Sequence, residues 1–349
     1  MTDTLIPILA TVIVLLVAGV TSGAARKWLQ SRAPDRPNAR SSHRTPIPRG
    51  GGVGFIPVIL LALVLLALLE PDQGNLPAFA AGIVGAIAVA AVSFADDLRP
   101  LSGRLRLGVQ AAAVALVLSF WPGGAILGPD VPLVLDRFVV GVAWLWFINL
   151  FNFMDGIDGI AASEAGVVSA GIVTVAIAGS AVLTLPAVPA AIVGAGAVGF
   201  LTVNWPPAKV FMGDVGSVGL GFLLGWLLIA VASAGFLAAA VILPLVFVVD
   251  ATSTLVLRLV RREQLGEAHR DHAYQAAVDR GVPHAVVTSG VIASGIGLIA
   301  LAAWSIDAPV PALAAAAGVS TLVVLALRFG WPPFQRRDGA DGETARRSR

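Results

Sequence analysis

Apolar residues in this chain come in unbroken blocks, with neither the strict alternation of strands nor the single stripe of a surface helix. Crossing a bilayer core takes about 20 mostly apolar residues. Eleven blocks approach or meet that length: 4–21, 52–69, 77–95, 107–121, 138–153, 165–185, 187–204, 217–233, 235–252, 285–304 and 309–327. The fourth and fifth are the shortest. The pattern predicts an all-α polytopic membrane protein of about eleven transmembrane helices. Residues 1–330 form one integral-membrane domain on this reading. Residues 331–349, rich in Arg, Gly and Asp, read as a disordered cytoplasmic tail. Ser22-Gly23-Ala24 would suit signal cleavage, yet the start MTDT carries Asp3 and no base, so the first block is expected to remain as a helix.

Of the 349 residues, 57% are hydrophobic and 13% charged, against roughly 25% charged in an ordinary soluble domain. That excludes a soluble globular enzyme, and a net charge of +2 gives no general pull on nucleic acid. Cysteine is absent, which removes disulfides and thiolate metal sites. Arg and Lys near span ends favour the cytoplasmic side. Seven of them fall in 22–50, placing the first connection inside and the N-terminus outside. Counting eleven spans onward, the inside segments are roughly 96–106, 154–164, 205–216, 253–284 and the tail from 328. Together with the first connection they hold 22 of the 23 basic residues, leaving Arg137 outside.

In this topology the acidic residues gather on one face. Asp96-Asp97 close the third block. Asp155 and Asp158 stand in Asn149-Leu-Phe-Asn152-Phe-Met-Asp155-Gly-Ile-Asp158-Gly159, Asp214 in Phe211-Met-Gly213-Asp214-Val-Gly216-Ser217, and Asp250 near the inner end of the ninth block. Carboxylates are costly beside lipid and usually face a polar cavity, a metal or a pathway. Any one of them could simply mark a helix end, but five or more on one face beside Gly-rich turns point to chemistry. Oxygen ligands without cysteine suit a hard cation, and Mg2+ commonly bridges carboxylates to substrate phosphates. Gly213 and Gly216, like Gly156 and Gly159, would let backbone amides approach a phosphate.

Two further clusters stand out, the first of them basic. His43-Arg44-Thr-Pro-Ile-Pro-Arg49-Gly50-Gly51-Gly52 leads into the second block, and Arg44 and Arg49 are placed for bidentate phosphate contacts. Glu267-Ala-His269-Arg270-Asp271-His272-Ala-Tyr274-Gln275 lies in the longest inside loop and carries the only tyrosine. On a helix His269 and His272 would share a face. A two-histidine metal site is open to them, with contacts to phosphate or a leaving group preferred. His284, beside Pro283, reads as interfacial.

With these motifs in order over residues 40 to 280, the chain resembles the polyprenyl-phosphate N-acetylhexosamine-1-phosphate transferases. Asp96-Asp97, Asn152-Phe-Met-Asp155-Gly-Ile-Asp158-Gly159 and Phe211-Met-Gly-Asp214-Val-Gly-Ser217 carry the likeness. The resemblance implies transfer of a sugar 1-phosphate from a UDP-N-acetyl sugar to undecaprenyl phosphate, releasing UMP, at a bacterial inner membrane. It implies Mg2+, or Mn2+ in its place, on Asp214, with Asp96 and Asp97 handling the lipid phosphate and metal. Asp97 is thereby the second expected metal ligand. Asp155 and Asp158 are implied as loop carboxylates, Asn204 and Phe211 as neighbours of uridine, and His269 and His272 as neighbours of the nucleotide-sugar phosphates. His43, Arg44, Arg49, Arg106, Asn152 and Arg270 complete the expected substrate-binding set. Arg106 stands where many members have Lys.

The form His-Arg-Asp-His-Ala-Tyr-Gln resembles the branch that starts O-antigen and other surface glycans, rather than the phospho-MurNAc-pentapeptide enzymes. GlcNAc and modified relatives such as FucNAc or QuiNAc fit that branch, and a homodimer is compatible with it. Asp96 or Asp97 is expected to act either as a base or as an orienting group. The rival class is a transporter or flippase of a phosphorylated substrate, which would place polar residues near the bilayer midplane instead of at span ends.

Overall fold

A computed structural model describes residues 2–30, 34–35, 47–69, 76–180, 186–264 and 270–330. The expected tail, 331–349, lies outside the described residues. A short antiparallel pair, β1 (Pro34–Asp35) with β2 (Ile47–Pro48), precedes the second helix. The helices are α1 (Thr2–Leu29), α2 (Gly52–Leu69), α3 (Leu76–Leu98), α4 (Gly103–Ser119), α5 (Leu133–Phe153), α6 (Ile160–Ala178) and α7 (Ala187–Asn204). They continue as α8 (Gly213–Ser233), α9 (Leu237–Ile242), α10 (Leu245–Val260), α11 (Ala273–Asp279), α12 (His284–Trp304) and α13 (Pro309–Phe329).

Among the described residues, nine helices are long and apolar enough to cross a membrane: α1 from Leu5, α2, α3, α5, α6, α7, α8, α12 and α13. The two remaining expected blocks take other forms. Block 107–121 lies in α4, a 17-residue helix with Arg104 and Arg106 in its first turns. Block 235–252 is divided between α9 and α10, because Pro244 has no amide to donate and its ring collides with the preceding turn. Several helices begin earlier than their apolar blocks. Thus α8 starts at Gly213 rather than 217, which puts Asp214 in its first turn.

The bundle is built around α8, whose apolar window is 89% buried. It packs against α2, α3, α5, α6, α7 and α9. Without a hydrophobic drive between helices in lipid, close packing rests on small residues and interhelical hydrogen bonds. A Cβ added at Gly225 would lie 2.3 Å from the Trp144 ring. That indole donates to the Phe222 carbonyl at 3.1 Å and packs at a tilt of 33° against the Phe222 ring, with centroids 4.8 Å apart. At Gly52 the approach is backbone on backbone, since a Cβ there would sit 2.3 Å from the Gly216 nitrogen.

That contact belongs to a seam joining the start of α2 to the start of α8. The Phe211 amide donates to the Pro48 carbonyl (2.8 Å), and the Gly51 and Gly52 amides donate to the carbonyls of Phe211 and Met212 (both 2.8 Å). The connections after α3, α5, α7 and α10 meet at this same end of the bundle, through contacts described below. Gly52→Ala is therefore expected to cost about 1–3 kcal/mol by overpacking. In detergent its melting temperature should fall clearly below that of Gly290→Ala, whose added Cβ meets nothing within 4 Å. Equal melting of the two variants would refute the seam.

Candidate active site

The first amides of a helix have no partner in the helix itself. In α8 a carboxylate from another helix meets them. Asp97, at the end of α3, accepts from the Asp214 amide through Oδ1 and from the Val215 amide through Oδ2, both at 3.0 Å. Its side chain is 1% exposed. The negative charge also faces the positive end of the helix dipole. Gly213, at φ +71°, makes the approach possible, because a Cβ there would lie 2.6 Å from Asp97 Oδ2 and 2.7 Å from Gly50.

Asp214 is directed away from this cap and holds two guanidinium groups. Arg49 Nη2 donates to its Oδ1 at 2.6 Å, and Arg106 Nη1 to its Oδ2 at 3.0 Å. Arg49 Nε also lies 3.1 Å from Asp97 Oδ1. Arg106 Nη1 reaches Asp96 Oδ2 at 2.9 Å, while Asp96 Oδ1 accepts from the Leu101 amide at 2.6 Å. The arginine side chains are 46% and 37% exposed, against 8% for Asp214. The carboxylates are thus fixed in the protein, and the cations stand at its open end.

Asp155 and Asp158 lie in the connection between α5 and α6, and the two differ. Asp158 Oδ2 accepts from the Ala208 amide at 3.0 Å and lies 3.3 Å from His284 Nδ1. The residue expected to be merely interfacial is therefore in contact with the motif. Asn204 links the same loops, accepting from the Gly159 amide (3.0 Å) and donating to the Val210 carbonyl (2.9 Å). Asn152 Oδ1 accepts from Ser217 Oγ at 2.6 Å, fastening α5 to α8. Asp155 makes no such side-chain hydrogen bond among the described residues. Burial pushes its pKa well above the usual carboxylate range. Arg49 opposes this, and the charges of Asp214, Asp97 and Asp158 add to it.

His272 is buried and precedes α11. Its ring stacks on Tyr274, with centroids 5.7 Å apart, and its Nδ1 lies 3.7 Å from Asp250 Oδ1. Asp250 does for α11 what Asp97 does for α8, accepting from the amides of Ala273 (2.8 Å) and Tyr274 (3.2 Å). Arg270 donates to Asp279 at 2.7 Å. His43, Arg44 and His269 lie outside the described residues. Phe211 contributes its backbone to the seam with Pro48 and Gly51.

Among the described residues, no three His, Asp or Glu side chains converge as a metal cage. The donor chemistry nonetheless fits a hard cation of the Mg2+ kind, which is commonly held by one or two carboxylates and completed by water and substrate phosphate. Of the motif carboxylates Asp96, Asp97, Asp155, Asp158 and Asp214, the side chains of Asp155 and Asp214 accept no backbone amide among the described residues. Each oxygen of Asp97 accepts one amide and keeps a further lone pair.

Residues 79–232, from α3 to the end of α8, match the family model described as Glycosyl transferase family 4. A protein of Bacillus subtilis (strain 168), named as a probable undecaprenyl-phosphate N-acetylglucosaminyl 1-phosphate transferase, is 25% identical over 282 residues. That covers 77% of this chain and 76% of the relative. A decaprenyl-phosphate N-acetylglucosaminephosphotransferase of Mycolicibacterium smegmatis (strain ATCC 700084 / mc(2)155) is 28% identical over 243 residues, covering 63% of this chain and 60% of the relative. The segment matched to glycosyl transferase family 4 contains Asp96, Asp97, Arg106, Asp155, Asp158 and Asp214. It does not contain Arg49, Tyr274 or His284, which the fold brings to the same end.

The state of Asp155 has a measurable consequence. A carboxyl whose folded pKa exceeds its unfolded value of about 3.9 binds its proton more tightly when folded. Its contribution to stability is complete below the unfolded value and is lost as pH rises towards the folded one. In EDTA, Asp155→Asn is expected to melt above the parent protein at pH 8, with the gap closing towards pH 5. A gap that does not change with pH would mean that Asp155 is solvated.

Proposed function

We propose that this protein transfers N-acetylhexosamine 1-phosphate from a UDP-N-acetyl sugar to undecaprenyl phosphate, releasing UMP and starting a surface glycan of O-antigen type. The names of both relatives support the class of reaction, and both specify an N-acetylglucosamine donor. The observation that carries the reading is the pair Arg49 and Arg106, half-exposed and converging on buried Asp214, with Asp155 in the field of Arg49 and Asp214. Two guanidiniums supply planar donor pairs for phosphate oxygens. Polar groups collected at one end of the bundle also disfavour a transporter.

In this mechanism an oxygen of the lipid phosphate attacks the sugar-bearing β-phosphorus. The bond from that phosphorus to the bridging oxygen breaks, and the electron pair leaves with UMP. A phosphate monoester has a second pKa of about 6 and is mostly dianionic at neutral pH, so the nucleophile needs little help from a base. Asp96, already engaged by Arg106 and the Leu101 amide, acts here as an orienting group. Arg49 and Arg106 hold non-bridging oxygens, since phosphoryl transfer depends on positioning and electrostatics. Mg2+, or Mn2+, when bound, neutralises the diphosphate charge, with Asp214 and Asp155 as the residues to hold it.

The finer topology belongs to the same proposal. Eleven crossings result if α4 and the broken α9–α10 pair also span. The N-terminus then lies outside, and the site opens to the cytoplasm of a bacterial inner membrane, where the basic connections favour it.

Purified protein in detergent, given undecaprenyl phosphate, Mg2+ and a panel of labelled UDP-N-acetyl sugars, should release UMP and label the lipid. Asp214→Asn should reduce turnover at least about a hundredfold, in line with losing a main source of electrostatic stabilisation. One phosphoanhydride replaces another, so excess UMP should return label from the lipid to UDP-sugar. Folded protein that transfers from no donor, or that releases UMP without reverse exchange, would defeat the proposal.

A further inference from the structure

We infer that His284 and Thr288 at the start of α12, with Tyr274 on α11, are positioning residues that set Asp155 by clamping the loop from 153 to 159. The inference rests on the transferase reading above, in which Asp155 faces the diphosphate.

The α12 side of the clamp holds the backbone of Asp158 at both its polar groups. The Asp158 amide donates to His284 Nδ1 at 3.5 Å, Thr288 Oγ1 donates to the Asp158 carbonyl at 2.9 Å, and Nδ1 also lies 3.3 Å from Asp158 Oδ2. His284 and Thr288 are four residues apart, hence on one face of α12. The Ala208 amide on Asp158 Oδ2 ties the grip to the connection before α8. Asp158 and His284 are largely buried, with side chains 13% and 16% exposed.

The α11 side holds the other end of the loop. Tyr274 Oη donates to the Phe153 carbonyl at 2.9 Å and accepts from the Gly156 amide. Burial, followed by the charges of Asp250 and Asp155, pushes ionisation of this phenol well above its usual range, so it remains a donor. A Cβ at Gly156 would lie 2.1 Å from that oxygen.

Asp155 lies between these two grips, and no side-chain hydrogen bond of its own fixes it among the described residues. Its place is therefore dictated by the backbone around it. Glycines at 156 and 159 make that backbone permissive, and Gly159 adopts φ +75°. External supports are what restrict it. Asn204 and the Ala208 amide supply two of them, and those on α11 and α12 lie outside the matched segment 79–232.

The test uses the purified full-length enzyme with Mg2+ and both substrates. His284→Ala and Thr288→Val should each lower kcat by about 10- to 100-fold, the scale of a misplacement near 1 Å, with both KM values within about twofold. His284→Asn offers an acceptor and a donor near the position of Nδ1 and should return kcat to within about threefold of the parent. Because His284 acts through Asp158, the Asp158→Ala/His284→Ala double variant should be no slower than Asp158→Ala alone. Hydrogen exchange should show amides 154–159 opening faster in His284→Ala and Thr288→Val. Unchanged kcat and exchange, or fully additive losses in the double variant, would overturn the clamp. Should His284→Ala fail to fold, Thr288→Val and His284→Asn decide the question by the same readouts. Asp155→Asn runs in parallel. If it turns over like the parent, or the parent shows no transfer, the transferase reading of Asp155 fails, while the exchange data still decide the clamp.

Discussion

Asp97 meeting the first turn of α8 is the contact on which this molecule depends. A buried carboxylate and a central helix with unpaired first amides would each be costly alone. Joined, they neutralise each other's cost and fix the end of α3 against the start of α8. Asp214 follows directly, because it is the second residue of that helix. Its carboxylate is therefore delivered to the open end of the bundle by the best-packed element in the structure. Gly50 and Gly213, both at positive φ, let the strand before α2 close over the same turn and bring Arg49 with it.

Much of this was legible in the apolar pattern. Blocks of nearly span length placed the helices, and the polar residues between them marked the functional end. Helix starts were less legible, because the first turn of a helix can be polar while its apolar run begins later; α8 at Gly213 is the clearest instance. Pro244 was visible as a residue, but hydropathy averages over it, so the division into α9 and α10 went unseen.

The acidic residues show where sequence reasoning stops. Asp97, Asp158 and Asp250 stand in motifs or at helix ends just as Asp155 and Asp214 do. What separates them is which donor each carboxylate meets: backbone amides of α8, of the connection before it and of α11 for the first three. Those partners are distant in sequence and have no side-chain signature, since any residue but proline supplies an amide. His284 was missed for a related reason. Pro283 marks it as a helix start, and nothing nearby announces that Asp158 lies against it.

The electrostatics follow a consistent division. Carboxylates that accept amides make the frame rigid, and those left to Arg49 and Arg106 remain exchangeable, because a half-exposed guanidinium can move to a phosphate at little cost. Asp155 extends this division, having neither amide nor guanidinium as a side-chain hydrogen-bond partner among the described residues. A carboxyl raised in pKa by burial and like charge is the member of the set most responsive to an arriving cation, which favours its ionised form. The same division holds the site together: the carboxylates that accept amides satisfy the frame, Asp214 is compensated by Arg49 and Arg106, and Asp155, buried among like charges, is compensated least.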